Sequence, residues 1–122
     1  MRLSKLVYIS VSIIAAAIVL FSCSYKKDVI ATPCVLPDVV SYSANIAPII
    51  AANCSDCHSA ASPSSGILLD NYDGLNFYAQ NGYLYGTISH ASGYKPMPDG
   101  GAKLNDCTIA TIKKWIDNGT PR

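Results

Sequence analysis

A chain of 122 residues holds one small domain and no more once an N-terminal export signal is set aside. Nine Lys and Arg against eight acidic residues give a formal net charge of +1, and no basic run exceeds two residues, which excludes an electrostatic grip on nucleic acid. The 50% hydrophobic share is swollen by one N-terminal stretch and does not indicate a membrane domain.

That stretch comes first in the chain. Arg2 and Lys5 precede an almost unbroken apolar run from Leu6 to Phe21, which Ser22 and Cys23 close. A positive start, an apolar middle and a small residue before the break predict a secretory signal over residues 1–22. Sixteen residues at about 1.5 Å rise reach about 24 Å, short of the roughly 30 Å hydrocarbon core, so a permanent spanning helix is the weaker reading. The Leu20-Phe21-Ser22-Cys23 run also resembles a bacterial lipobox, which implies acylation at Cys23. Plain cleavage and an uncleaved anchor are the alternatives. The expectation is an exported protein on the periplasmic side of a bacterial membrane, held there by lipid on Cys23. From Cys23 onward seven Lys and Arg face eight Asp, a net charge of −1.

Residues 23–38 read as a lipid-anchored linker, since Lys26, Lys27, Asp28, Pro33 and Pro37 punctuate a stretch with no periodic apolar face. A domain over residues 39–122 follows. Ser43 or Asn45 is the expected cap of its first helix, in which Ile46, Ile49 and Ile50 share a face and Pro48 falls in the first turn. This helix runs into Cys54-Ser55-Asp56-Cys57-His58. Two thiols at that spacing can each add across one vinyl group of a haem, and the histidine directly after them becomes an axial ligand of the iron. The residues therefore predict one haem c per chain, with Cys54 and Cys57 as covalent anchors and His58 as proximal ligand. A half zinc site would need a second Cys/His pair, and only the scattered Cys34, Cys107 and His90 remain. A thioredoxin-type redox pair would follow a hydrophobic strand, which is absent before Cys54.

Beyond His58, Ser59 to Gly66 reads as a small polar loop and Ile67-Leu68-Leu69 as an apolar patch. Asp70 or Asn71 caps a predicted short helix through Ala79, weakened by Gly74. Asn81-Gly82 breaks the chain before another short helical turn, with Leu84 and Ile88 facing inward. The last element is the clearest. Asn105 or Asp106 caps a helix with Ile109, Ile112, Trp115 and Ile116 on its buried face, Lys113 and Lys114 toward solvent, and Gly119 and Pro121 ending it. Strand signals are thin throughout, and the expected class is all-α.

With Cys23 acylated and Cys54 and Cys57 on haem, Cys34 and Cys107 are left, and an exported chain meets an oxidising environment. They are expected to form a disulfide; two buried free thiols are the alternative.

A leading helix into Cys54-x-x-Cys57-His58, a later Pro96-Met97-Pro98 loop and a closing helix with Trp115-Ile116 near Gly119 together resemble the small monohaem class I cytochrome c domain, closest to its bacterial lipoprotein members. The resemblance spans Val39 to Gly119. It implies a cytochrome c-like fold, with N- and C-terminal helices packed around one covalently bound haem. By the same analogy the His58 ring donates its free N–H to a carbonyl in the Ser62-Pro63 region.

The sixth iron ligand is a separate question. Met97 lies 39 positions after His58, between two prolines that fix φ on either side, and the only other methionine is Met1. A thioether there makes His58 and Met97 the metal ligands. His90 is the rival, and an open site the third possibility. With both axial positions filled the chain reads as an electron carrier in an extracytoplasmic respiratory chain, with no catalytic residues and no small-molecule substrate. Its partners would be redox proteins that give and accept electrons, and the membrane through its lipid. Two rivals stay open: a haem-based sensor or small-ligand binder, and a peroxidase-like module with an open sixth site. The latter would want a distal acid or base, and the chain has no glutamate and only His90 beyond His58. Tyr72, Phe77, Tyr78, Tyr83, Tyr85 and Tyr94 are candidate pocket walls or simply core. Lys95, Lys103, Lys113 and Lys114 either steer an acidic partner or form an ordinary solvated face.

Overall fold

Residues 33–122 are described in the computed structural model, so the expected signal over residues 1–22 and the acylated Cys23 lie outside the described residues. Among the described residues, Val40 is the first fully buried side chain, and Ser41 caps the first helical segment. A π-helical turn, Tyr42–Ile46, passes directly into α1, Ala47–Asn53. The Ser41 hydroxyl accepts from the Ala44 N–H at 3.3 Å, while Asn45 Oδ1 accepts from the Ser41 N–H at 3.0 Å. This is the reciprocal logic of a capping box, with the returning side chain one residue later because the turn is one residue wider. The cap is thus Ser41 rather than Ser43 or Asn45. Pro48 accounts for the widening, since a proline early in a helix offers no N–H and its ring crowds the carbonyl four residues back.

The all-α class with a cytochrome c-like fold requires correction. About 47% of the described residues are helical, and the chain leaves the Cys54–Cys57 turn as a strand, β1 (His58–Ser59), paired antiparallel with β2 (Ser62–Pro63). His58 faces Pro63 and Ser59 faces Ser62, with Ala60 and Ala61 as the connection. A 3₁₀ turn, Ser64–Gly66, follows. Small Ser and Ala side chains give this segment no apolar face to bury, so backbone pairing holds it, and Asp70 Oδ2 fixes its tip by accepting from the Ala60 N–H at 2.9 Å.

The remaining helices form where the apolar spacing places them. Asn71 caps α2 (Tyr72–Gln80) by accepting from the Gly74 N–H at 2.9 Å. Gly74 has a packing reason as well: a Cβ there would lie 2.3 Å from the Leu68 carbonyl oxygen, so the helix approaches that loop only with glycine. Asn81 then accepts from the Tyr83 N–H at 3.1 Å, and α3 (Tyr83–Ile88) buries Leu84 and Ile88. Asn105 caps α4 (Asp106–Asp117), which buries Ile109, Ile112 and Trp115. The π turn packs on α4, as does α3. Ile46 and Ile50, both buried, bring the leading segment into the same core. Each such aliphatic side chain contributes about 1.5–3 kcal/mol by leaving water.

Hydrogen bonds tie both ends of the domain to α4 and its neighbours. The Pro121 carbonyl accepts from Trp115 Nε1–H at 2.9 Å and from the Tyr42 N–H at 2.8 Å. Tyr72 donates its hydroxyl to the Thr120 carbonyl at 2.8 Å, and the buried Thr120 hydroxyl donates to Asn76 Oδ1 at 2.7 Å while accepting from Gln80 at 3.1 Å. At the other end, residues 33–38 form no regular structure yet are fastened to α4. Cys34 is disulfide-bonded to Cys107, the pairing expected from the sequence, and Lys114 Nζ donates to the Pro37 carbonyl at 2.6 Å.

Candidate functional site

The Cys54–His58 segment is one tight turn built on the end of α1. The N–H groups of Cys54 and Ser55 both donate to the Ile50 carbonyl, at 2.8 and 3.2 Å, and those of Cys57 and His58 both donate to the Cys54 carbonyl, at 3.1 and 2.9 Å. Ile50 is buried, so the core itself anchors the turn. Beyond it, the Cys57 carbonyl accepts from the Ser64 N–H and the His58 carbonyl from the Leu69 N–H, each at 2.8 Å. The main chain of Cys54, Ser55, Cys57 and His58 is thereby held by neighbours.

Both thiols in this turn are free, Cys54 half-buried and Cys57 exposed. Burial pushes the Cys54 thiol up to about 11. This disfavours the thiolate, the form that attacks in thiol–disulfide exchange, at Cys54. A zinc site loses its remaining donors too, because Cys34 and Cys107 are joined to each other and His90 is engaged elsewhere. Among the described residues no group of three or more His, Cys, Asp and Glu side chains converges on a metal position.

His58 Nδ1 is buried and has no hydrogen-bond partner. The expected bond to the Ser62-Pro63 region is therefore corrected: the register places Pro63 opposite His58, but it pairs main chain with main chain and leaves the ring nitrogen alone. Leaving such a group unsatisfied costs about 1–3 kcal/mol. Two free thiols and an imidazole directly after the second, all within five residues, fit the donor set of a covalently attached haem.

Met97 stands in a second, separate unit carried by the end of α3. It is half-buried, its N–H donates to the Thr87 carbonyl at 3.1 Å, and its carbonyl accepts from His90 Nε2–H at 3.0 Å. The His90 imidazole, the rival iron ligand, is thus bonded to the Met97 main chain. Tyr94 seats the rest of the loop. Its ring lies so close over Gly86 that a Cβ at that position would meet it at 2.5 Å. Lys95 and Asp99 bridge the Pro96-Met97-Pro98 tip at 2.6 Å. No hydrogen bond joins the Cys54–His58 turn to the Met97 loop among the described residues.

The aromatic candidates divide. Tyr72 packs edge-on against Tyr42 and Trp115 in the core, whereas Phe77 and Tyr83 are mostly exposed, at 63% and 57%. The four lysines do not form a cationic patch: Lys95, Lys103 and Lys113 each pair with the aspartate three or four residues on, and Lys114 lies on the Pro37 carbonyl. Exposed pairs of this kind contribute about 0.2–1 kcal/mol and cancel the field that would steer a partner. An open groove of about 550 Å³ runs beside α4, between Leu36, Tyr85 and Ile109, and holds none of Cys54, Cys57, His58 and Met97. Among the described residues no helix is long and apolar enough to cross a membrane.

Sequence reasoning missed the His90–Met97 bond and the unsatisfied His58 nitrogen. The first joins side chain to backbone across a loop without periodicity, so no spacing rule signals it. Comparison with known proteins finds no family model, no curated protein and no solved structure that matches the chain.

Proposed function

We propose that this chain is a one-electron carrier holding a single haem c, with Cys54 and Cys57 as thioether anchors and His58 and Met97 as the axial ligands. The observation that carries the reading is the Cys54–His58 turn, where two unpaired thiols are followed directly by an imidazole on a backbone anchored in the core. The likeness of this motif to that of small monohaem c-type cytochromes supports it. Bound there, the haem would supply a reversible one-electron iron couple. The chain's own part is to keep the turn rigid through the Ile50 and Cys54 carbonyls and to present the Met97 thioether from a loop tied to α3. A soft, neutral sulfur ligand favours the reduced state and leaves no position for substrate, so no residue is assigned a catalytic role. Export with lipid on Cys23 and exchange of electrons with protein partners belong to the same proposal.

Ligation is tested by spectrum. The ferric holoprotein is expected to show the far-red band of sulfur-ligated haem, and Met97→Ala to lose it completely while gaining rapid carbon monoxide binding when reduced. A far-red band that persists in Met97→Ala would remove Met97 from the iron. Rapid carbon monoxide binding by the unaltered reduced protein would instead favour a sensor or small-ligand binder.

A further inference from the structure

We infer that His90 is a positioning residue for Met97: its imidazole and the Thr87 carbonyl hold the Met97 peptide from both sides, so that only the thioether is left free to reach a ligand. The inference rests on the proposed haem ligation and names the side chain that keeps the sulfur seated. Pro96-Met97-Pro98 contains a single main-chain donor, since neither proline has an N–H. That donor, at Met97, goes to the Thr87 carbonyl at 3.1 Å, and the same carbonyl accepts from the His90 N–H at 3.3 Å. The Met97 carbonyl, followed by a residue that cannot donate, accepts from His90 Nε2–H at 3.0 Å.

His90 can close this ring because of its backbone. Its φ is 57°, in the left-handed region that few residues other than glycine enter, Asn, Asp and His most often among them. This reverses the chain just after α3 and folds the imidazole back over a residue seven positions ahead. Ala91 adds a further tie by donating its N–H to the Gly86 carbonyl at 3.0 Å. With one polar group of Met97 bonded to Thr87 in α3 and the other to His90 just beyond it, moving the loop breaks two bonds together.

Two variants separate backbone from side chain. His90→Asn suits the left-handed backbone but is too short to reach the Met97 carbonyl, whereas His90→Gln reaches about as far as histidine and keeps an N–H donor. In the purified holoprotein, His90→Asn is expected to bind added imidazole at the iron roughly tenfold more tightly than the unaltered protein. Its Met97 amide is expected to exchange with solvent roughly tenfold faster. His90→Gln is expected to stay near the unaltered values. Unchanged imidazole affinity and amide exchange in His90→Asn, with the far-red band present in the unaltered protein, would overturn the positioning role alone. Absence of that band in the unaltered protein would remove Met97 as ligand and this inference with it. If His90→Asn does not accumulate, nitrogen NMR of the unaltered protein decides: a slowly exchanging proton on His90 Nε2 supports the clamp, and a ring protonated only on Nδ1 overturns it.

Discussion

Replacing Trp115 by alanine is expected to lower the stability of the domain by about 3–5 kcal/mol, a large share of the roughly 5–15 kcal/mol that holds a domain of this kind together. The indole is fully buried, and its ring centroid lies 6.4 Å from those of both Tyr42 and Tyr72. Truncation therefore removes apolar burial, two aromatic contacts and the Nε1–H bond to Pro121 in one step. Little can collapse into the space, because the Tyr72 hydroxyl is held by the Thr120 carbonyl and the Tyr42 N–H by Pro121. Urea unfolding of the variant should show the loss as a lowered midpoint at unchanged slope. Trp115→Phe should cost less than half as much, since it keeps a ring and the Pro121 carbonyl keeps the Tyr42 N–H. Equal midpoints for Trp115→Ala and the unaltered protein would show that this ring does not organise the core.

Opening the Cys34–Cys107 bridge is expected to cost about 4 kcal/mol on the loop-closure account, because the two cysteines are 73 positions apart and the free chain regains the entropy that their link removes. The local consequence is release of residues 34–37 from α4, with only the Lys114 bond to Pro37 and the contacts of Leu36 remaining. The double change Cys34→Ser with Cys107→Ser, or thiol reduction of the unaltered protein, should lower the unfolding midpoint by the same amount. Agreement between the two is informative because Cys54 and Cys57 form no disulfide, so among the described residues reduction acts on one bond only. A reduced protein as stable as the oxidised one would contradict the account.

How far the sequence alone could be read follows from what each element uses to hold itself. The final helix was legible from cap to stop, since Asn105, the spacing of Ile109, Ile112 and Trp115, and Gly119 with Pro121 are local signals repeated over three turns. The disulfide was legible by elimination, on the expectation that the chain is exported. Its partners lie too far apart for any local rule. The β1–β2 hairpin was not legible, because two-residue strands have no alternation to detect and their polar residues read as loop. Pro48 was placed in the first turn correctly in kind, but the wider turn that accommodates it moved the cap back to Ser41. Tyr72 shows a different limit: its ring suits a cofactor wall and a core equally, and only the fold places it against Trp115. At the site, the Cys54–His58 spacing was plain, whereas the clamp on Met97 depends on one residue with positive φ, which composition does not announce.

The most direct measurement is the mass of the protein isolated from the envelope of cells that export it, followed by sequencing of the peptide that contains Cys54 and Cys57. The account predicts one haem in excess of the polypeptide mass, retained under acidic solvent extraction and located on that peptide. Free thiols at both cysteines, on a chain without bound haem, would contradict it.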